Sequence, residues 1–402
     1  MTSERTQVAI VGAGPAGLLL GLLLRREGIE AVVLEARSRE YVEARIRAGV
    51  LEQGTIDVLR EAGVGERMER DGLRHGGIYL CFDRERHHIP FSELTGGRGV
   101  MIYGQTEVVS DLIEARLHEG APLLFECSDV SVQGIERDEP VVRYTHAGAE
   151  HELRADFVAG CDGFHGVCRP SIPAERLRLW EREYPYAWLG ILADVEPSTD
   201  ELIYAYSERG FALHSMRSLT RSRLYIQVDP DDDIADWSDD RIWSELHLRL
   251  ASDGFELREG PVLEKSILPM RSFVASPMRH GRLLLAGDAA HIVPPTGAKG
   301  LNLAIADVTL LAQALAQRLH GGSDAGLDEY SDRCLARVWR AQHFSWWMTT
   351  MLHTDPTGDA YTEQLQRSQL RYVTTSAAAA TTLAENYVGL PLGVATLAQA
   401  HG

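Results

Sequence analysis

Two glycine-rich segments, about two-thirds of the chain apart, constrain the fold more strongly than any other feature of the sequence. The first, Gly12-Ala13-Gly14-Pro15-Ala16-Gly17, follows an apolar run at residues 7–11 and precedes leucines at helical spacing. A strand, a glycine turn and a helix in this order predict a Rossmann-like unit that binds a dinucleotide. We expect Gly12 to form the tight turn, Gly14 to let the backbone approach a pyrophosphate, and Gly17 to let the helix pack closely.

Glu35 supports this interpretation because it follows a second predicted strand at residues 31–34. A carboxylate at this place, about 20 residues after the glycine turn, accepts hydrogen bonds from the ribose hydroxyls in such units. The glycine motif alone would be weak evidence. The strand, the helix and Glu35 together make dinucleotide binding the expectation.

The second glycine-rich segment, residues 287–302, follows the apolar run 283–286 and begins with Gly287-Asp288. The Asp288 carboxylate can accept hydrogen bonds from a polyol such as the ribityl chain of a flavin. The run Pro294-Pro295-Thr296-Gly297-Ala298-Lys299-Gly300 offers rigid backbone beside which a planar ring could lie. A third turn of this type contains Asp162. A nicotinamide dehydrogenase has no use for the second segment, so the pair of segments predicts FAD.

The order of the predicted elements indicates an α/β fold with an insertion. Helices are predicted at 15–27, 50–62 and 105–118, strand-like patterns fill 184–228, and the chain is mostly helical from residue 301. We predict an FAD-binding Rossmann-like domain, an inserted β-sheet-rich substrate domain and a helical C-terminal region. The predicted boundaries place the FAD-binding parts at 1–72, 98–180 and 271–320, the substrate parts at 73–97 and 181–270, and the helical region at 321–402.

Composition limits the partners. With 58 acidic and 40 basic residues the formal charge is −18, which argues against nucleic acid and against an anionic membrane surface. An anionic substrate would therefore need a local basic pocket. No apolar run approaches the ~20 residues of a membrane span, and a predicted strand begins at residue 7, so we expect a cytoplasmic protein. Five cysteines without metal-ligand spacing predict no metal site.

Several motifs spread along the chain resemble those of the single-component FAD-dependent aromatic hydroxylases. Besides residues 287–302, they are the segments Arg45–Gly54, Tyr103–Glu107, Phe344–Met348 and Ala384–Pro391. The resemblance implies bound FAD, O2 as oxidant, NADH or NADPH as electron donor, and a homodimer. It also implies that 4-hydroxybenzoate is converted to 3,4-dihydroxybenzoate through a flavin C4a-hydroperoxide.

The resemblance also assigns residues to the substrate. Ser215, Arg217 and Tyr225 match the groups that bind the substrate carboxylate, and an arginine with two hydroxyls is a sound carboxylate receptor. Tyr204 and the Pro295 carbonyl match the groups that contact the 4-hydroxyl. Tyr387 and His75 match a relay that carries the phenol proton to solvent, for which a histidine pKa of ~6.5 is well suited.

The resemblance further assigns residues to the two cofactors. In addition to Gly12, Gly14, Gly17 and Glu35, the residues implied for FAD are Arg45, Arg47, Gln105, Asp162, Arg223, Asp288, Lys299, Gly300, Leu301 and Asn302. Those implied for the nicotinamide donor are Arg37, Tyr41, Arg45, His165, Arg169 and Arg271. One departure concerns this donor: Ala36-Arg37 stands where NADPH-specific members carry Arg-Gln. Since Ala36 cannot contact a 2′-phosphate, we expect NADH to be used at least as well as NADPH.

Other interpretations stay open from the residues alone. Tyr204 alternates with Tyr206 and fits half-buried packing, Arg217 lies in a basic stretch that fits a solvated loop, and His75 fits a surface position. A hydroxylase of 4-aminobenzoate or another para-substituted benzoate would keep the carboxylate residues. A flavin-binding redox module without turnover would be expected to lose them, whereas every such position is intact here.

Overall fold

The computed structural model describes residues 2–44 and 49–391. Arg45 and Arg47, which the resemblance assigns to the cofactors, lie outside this part of the chain. The described residues form the helices α1 (Pro15–Arg26), α2 (Arg39–Ala44), α3 (Gln53–Glu61), α4 (Glu66–Asp71), α5 (Phe91–Leu94), α6 (Gln105–His118), α7 (Asp239–Arg249), α8 (Gly300–Gly321), α9 (Ala325–Leu352), α10 (Ala360–Thr375) and α11 (Ala377–Val388).

The strands fall into three sheets. They are β1 (Thr2–Val11), β2 (Ala31–Leu34), β3 (Val50–Glu52), β4 (Leu73–His75), β5 (Ile78–Phe82), β6 (Glu85–Ile89), β7 (Val100–Ile102), β8 (Leu123–Leu124), β9 (Ser128–Gln133), β10 (Val141–His146), β11 (Ala149–Gly160), β12 (Arg178–Ala193), β13 (Ile203–Ala205), β14 (Ala212–Ser218), β15 (Arg221–Val228), β16 (Val262–Ser276), β17 (Arg279–His280), β18 (Leu283–Leu285) and β19 (His291–Ile292).

The first sheet has the order β17-β18-β11-β1-β2-β8, and the neighbours from β18 to β8 are all parallel. Where these parallel strands lie side by side, their residues are apolar because a sheet covered on both faces needs no polar side; these segments are 8–11, 31–34, 157–160 and 283–285. Helices α1, α6 and α8 share its hydrophobic core. The fold is therefore α/β with a Rossmann-like unit, as predicted.

The second sheet has the order β19-β16-β12-β15-β14-β13-β5-β6. Its mostly antiparallel strands come from residues 78–89 and 178–292, so the chain enters this sheet, leaves it and returns. One face packs on an aromatic core with helices α9, α10 and α11, and the other packs on α7. The β-rich middle is confirmed, while the division into six segments stays a prediction.

One predicted element differs from the structure. Residues 50–62 were expected to form one helix, but 50–52 form β3, which pairs with β7 in a three-stranded sheet, before α3 begins at Gln53. The backbone N–H and C=O groups of residues 50–52 form hydrogen bonds with β7, which is distant in sequence. Hydrophobic periodicity does not predict such long-range pairing. The predicted helix at 105–118 coincides with α6, and residues 377–380 begin α11.

Helix α8 is the one helix in the described ranges whose length and hydropathy would allow it to cross a membrane. Most of that apolar stretch, 61%, is buried within the protein, where α8 packs between α1 and α9. Its burial is typical of a core helix, and its first residues approach the site described next.

Candidate active site

The carboxyl ends of β1, β11 and β18 lie side by side in the first sheet and bring the three predicted turns together. Gly12 has φ of +104°, and a Cβ on it would lie 2.3 Å from the Cys161 carbonyl oxygen. A Cβ on Gly17 would lie 2.0 Å from the Gly12 oxygen. These two close approaches leave no space for any other residue, as expected for a dinucleotide turn.

Gly14 has a different environment, because a Cβ on it would meet no atom of the described residues within 4 Å, apart from its chain neighbours. Its backbone is extended, and α1 begins at the next residue. Gly300, the first residue of α8, is equally open. Open space beside helix N-termini suits a pyrophosphate, since free backbone N–H groups and the helix dipole favour anions there.

The Glu35 carboxylate supports the glycine turn directly. Its Oε2 accepts a hydrogen bond from the Ala13 N–H at 2.8 Å, and its Oε1 accepts one from the Arg37 N–H at 2.8 Å. A carboxylate has about four lone-pair sites. Glu35 can therefore hold the turn and still accept from ribose hydroxyls.

The turns that carry Asp162 and Asp288 are joined by Arg169. Asp162 accepts the Cys168 N–H at 2.8 Å through Oδ2, while its buried Oδ1 contacts no donor among the described residues. Arg169 donates to the Ala289 carbonyl at 2.9 Å and to the Phe164 carbonyl at 2.6 Å. The Arg169 guanidinium thus joins the two turns, and its contact with the nicotinamide donor stays a prediction.

The remaining residues predicted for FAD occupy helix starts. Gln105 begins α6, and Gly300 and Leu301 begin α8. Together with the Gly14 space, the Glu35 carboxylate and the buried Asp162 Oδ1, they fit an FAD laid across the strand ends.

The residues predicted to bind the substrate line one cavity. It lies on the face of the second sheet that packs on α9, α10 and α11, here called the inner face. Side chains alternate between the faces of a strand, and directly paired residues share a face. Tyr204 pairs with Leu213, which pairs with Tyr225, and Ser215 pairs with Arg223. The cavity is lined by Gly49, Val50, Ile102, Trp188, Leu202, Tyr204, Leu213, Ser215, Met216, Arg217, Arg223, Tyr225, Pro295 and Ala298.

Two arginines give this cavity the basic character that an anionic ligand needs. Arg217 donates through Nη2 to Thr106 Oγ1 and to Glu107 Oε2, both at 3.0 Å. The Arg223 guanidinium lies 5.3 Å from the centre of the Tyr225 ring, and its buried Nη1 contacts no acceptor among the described residues. A carboxylate beside both arginines would gain charge-assisted hydrogen bonds.

Tyr204 lines the cavity, and its hydroxyl is hydrogen-bonded to that of Tyr387. Their hydroxyl oxygens are 2.6 Å apart, and both side chains are buried. Burial raises the pKa of Tyr204 well above its ordinary value, and it raises the pKa of Tyr387 in the same direction. Both phenols are therefore neutral and can exchange hydrogen bonds.

His75 differs from the prediction of a histidine with an ordinary pKa at the surface. It is 3% exposed, and burial lowers its pKa to about 4. Its Nδ1 is buried and has no hydrogen-bond partner among the described residues. The cause is β4, which places His75 opposite Val100 in the three-stranded sheet.

Lys299 and Asn302, for which FAD contacts stay a prediction, hydrogen-bond to protein groups. Lys299 Nζ donates to Glu52 Oε1 at 2.6 Å and to the Tyr387 carbonyl at 2.9 Å. The Asn302 amide donates to the Val50 and Ala298 carbonyls and accepts the Glu52 N–H. They act on the site by holding β3 and Tyr387 in place.

Glu52 and Glu107, which form hydrogen bonds with Lys299 and Arg217, were not among the predicted site residues. Both lie inside motifs that carry the resemblance, in Arg45–Gly54 and Tyr103–Glu107. A carboxylate in such a motif was the available signal. The sequence pattern does not show which cation each carboxylate binds, because that cation is 247 residues away for Glu52 and 110 residues away for Glu107.

The other residues predicted for the nicotinamide donor form two groups. The Arg37 guanidinium lies 5.2 Å from the centre of the Tyr41 ring, and both residues are exposed. His165 packs edge-on against Phe164 at 4.9 Å, and Arg271 lies 5.0 Å from the same ring. No hydrogen bond or ring contact within the described ranges joins the two groups.

Comparison with known proteins agrees with this geometry. The family described as "FAD binding domain" matches residues 5–345. A p-hydroxybenzoate hydroxylase of Acinetobacter baylyi is 51% identical over 398 residues, which are 99% of this chain and 98% of the relative. A probable NADH-specific resorcinol 4-hydroxylase of Rhodococcus jostii is 29% identical over 81% of this chain and 62% of its own length.

A solved structure shows the same fold at low sequence similarity. The crystal structure of p-nitrophenol 4-monooxygenase PnpA from Pseudomonas putida aligns with a TM-score of 0.81, 21% identity, and coverage of 97% of this chain and 99% of the other. The family match and the relative of 51% identity make the chain an FAD-dependent monooxygenase. The chain belongs to the FAD binding domain family, and FAD is its cofactor.

Substitution of Gly14 tests the pyrophosphate space. In the part of the chain that the structure describes, a Cβ here would contact no atom beyond its chain neighbours, and the Gly14 φ of −73° suits alanine. We expect Gly14→Ala to fold normally yet bind FAD at least tenfold more weakly, because the methyl group would enter the space assigned to the phosphates. Fluorescence titration of the apoprotein with FAD measures this, and Gly321→Ala, equally open, is the matched control. Equal FAD affinity in both variants would contradict the assignment.

Proposed function

We propose that the protein hydroxylates 4-hydroxybenzoate to 3,4-dihydroxybenzoate with O2 and a reduced nicotinamide. The observation that carries this proposal is the single cavity lined by Tyr204, Ser215, Arg217, Tyr225 and Pro295. Arg217 and Arg223 also line it, and the hydroxyl of Tyr204 is hydrogen-bonded to that of Tyr387. 4-Hydroxybenzoate carries groups that suit these side chains, because a carboxylate and a hydroxyl lie para to each other on one ring.

Arg217 would bind the carboxylate, with the Ser215 and Tyr225 hydroxyls as further donors. Arg217 is preorganised because Thr106 and Glu107 fix one edge of its guanidinium. A Cβ on Gly104 would lie 2.1 Å from Arg217 Nη1, so the guanidinium rests directly against that glycine. A fixed receptor loses little side-chain entropy when it binds.

Tyr204 and the Pro295 carbonyl would orient the 4-hydroxyl. The Tyr204 hydroxyl can accept the phenol proton's hydrogen bond while it donates to Tyr387, so the proton can leave the ring in steps between neutral groups. Val50, Ile102, Leu202 and Leu213 keep water from the ring. Bound FAD, once reduced, supplies the oxygen transfer from O2, which an electron-rich ring accepts most readily.

Product analysis of the Tyr204→Phe variant tests the proposed function. The variant keeps the ring volume but cannot hydrogen-bond the phenol. We therefore expect substrate affinity within a few-fold of wild type. The amount of product formed per nicotinamide oxidised should fall at least tenfold, as expected for loss of an acid–base group. The missing oxidation equivalents should be recovered as hydrogen peroxide.

Tyr206→Phe is the matched control, because this buried tyrosine lies two residues away and does not line the cavity. It should couple like wild type. Absence of 3,4-dihydroxybenzoate with the wild-type holoenzyme and either donor would refute the substrate assignment, and 4-aminobenzoate tested in parallel would identify the alternative. Normal coupling in Tyr204→Phe would remove that residue from the mechanism.

The electron donor is proposed to be NADH at least as readily as NADPH. Arg39, the second arginine near Ala36, donates through Nε and Nη2 to Glu43 at 3.0 Å. Its charge is thereby offset, which leaves Arg37 over Tyr41 as the cation available to a 2′-phosphate.

We expect kcat/KM for NADH to equal or exceed that for NADPH. Ala36→Arg should move the ratio toward NADPH, because it adds a guanidinium where a 2′-phosphate would lie. Steady-state kinetics of both proteins with both donors measures the ratio. A wild-type preference for NADPH above tenfold (about 1.4 kcal/mol) would show that Arg37 alone recognises the phosphate.

We also propose that the protein is a cytoplasmic homodimer. Exposed apolar side chains support it, since Trp180 and Trp339 meet edge to face at 5.3 Å on the surface and Leu179 and Trp346 are also exposed. Exposed clusters of this kind mark protein interfaces. Sedimentation of the holoenzyme should give twice the chain mass of 44.5 kDa, and a species of the single-chain mass would contradict the dimer.

A further inference from the structure

Trp188 forms one wall of the substrate cavity, and its indole N–H has a defined acceptor. The ring lies 4.8 Å from the ring of Tyr225, one of the carboxylate residues. Trp188 Nε1 donates to His353 Nε2 at 2.6 Å, and both side chains are buried. A buried indole N–H is costly to leave without an acceptor, so this bond restricts the ring to one orientation.

His353 is neutral, and both of its ring nitrogens form hydrogen bonds. Its Nδ1 is 2.9 Å from the Thr349 carbonyl, which fixes Nδ1 as the donor and Nε2 as the acceptor. Burial lowers its pKa to about 3. The imidazole stacks on Phe211 at 4.4 Å and on Tyr186 at 4.8 Å. An aliphatic or phenyl side chain would fill this space as well, so packing alone does not explain a histidine here.

The end of α9 that carries His353 also holds the opposite wall. Thr349, one turn earlier, donates to Thr296 Oγ1 at 2.8 Å, and Thr296 follows Pro295 directly. On the sheet side, Gln227 donates to the Thr354 carbonyl at 2.6 Å and accepts the Thr354 N–H at 3.0 Å. One helix end is thus bonded to the sheet wall and to the turn that carries the Pro295 carbonyl.

The geometry points to His353 as a positioning residue that sets ring selectivity: by accepting the Trp188 N–H it fixes the indole wall at a set distance from the Pro295 turn. A fixed wall admits a flat monocyclic benzoate and rejects one that carries an additional ring substituent. The inference depends on the proposed function only for the identity of the ligand class. Without the acceptor, the indole would turn toward another partner and the wall would no longer have a single position.

Two substitutions separate this role from simple packing. His353→Phe keeps the stacked ring and removes the acceptor, whereas His353→Gln keeps an acceptor oxygen and removes the ring. The Thr349 carbonyl also accepts the His353 backbone N–H at 2.9 Å, so neither variant leaves it without a donor. If the histidine only fills space, His353→Phe should behave like wild type and His353→Gln should be defective.

The measurement is spectral titration of oxidised holoenzyme with 4-hydroxybenzoate and with its 2-methyl and 3-methyl derivatives. We expect His353→Phe to lower the wild-type preference for 4-hydroxybenzoate about tenfold against at least one derivative, as loss of a buried hydrogen bond would, and His353→Gln to keep it within about twofold. An unchanged preference in His353→Phe, or the reverse order of the two variants, would overturn the inference. Binding is measured without a reduced nicotinamide, so the preference is obtained even where the wild type forms no hydroxylated product.

A double-mutant cycle isolates the pair. Trp188→Phe removes the donor, so the effect of His353→Phe on the preference should disappear in the Trp188→Phe background. Trp237→Phe is the matched background, because that buried indole donates to Asp232 at 3.2 Å on the opposite face of the same sheet. There the effect of His353→Phe should persist in full. Additive effects of Trp188→Phe and His353→Phe would refute the coupling.

Discussion

The buried ion pair between Lys299 and Glu52 holds together the parts of the chain that form the site. Lys299 precedes α8, Glu52 ends β3, and the same ammonium donates to the carbonyl of Tyr387 in α11. Removing two charges from water costs several kcal/mol each, which only a close pair with further hydrogen bonds can offset. Here Arg337 adds a second cation 3.5 Å from Glu52 Oε2. Loss of Glu52 would leave the buried Lys299 ammonium without this counter-ion, and loss of Lys299 would leave Glu52 with the more distant Arg337, so the pair holds β3, the 295–299 turn and Tyr387 in fixed relative positions.

With those segments fixed, the alternation of the second sheet determines the rest of the cavity. Positions 213, 215 and 217 of β14 line the cavity together with 223 and 225 of β15, while Ala212, Leu224 and Ile226 fill the core on α7. A shift of one residue in this register would turn every substrate residue to the other face. The aromatic packing of Trp188, Phe211 and His353 therefore maintains the chemistry as well as the stability of the sheet.

The sequence predicted the features that local chemistry controls. The glycine turns, Glu35, α1 and α6 follow from spacing and composition within about 20 residues. The substrate residues were assigned by resemblance, and the strand alternation explains why they meet. Periodicity did not predict β3, the burial of His75 or the protein partners of Lys299 and Arg169. Each of these depends on contacts between distant segments, and Trp188 and His353, 165 residues apart, are the clearest case.

Electrostatics of the buried site favour an anionic substrate in spite of the overall charge of −18. Arg217 and Arg223 provide positive charge at the sheet side of the cavity. Near the Tyr204–Tyr387 hydrogen bond, Lys299 and Arg337 flank a single carboxylate, Glu52, so this cluster carries a net positive charge. Charges act strongly where water is excluded. Because burial raises the pKa of Tyr204 and of Tyr387, both tyrosines are neutral, and negative charge that develops on a bound phenol would not meet a tyrosinate beside it.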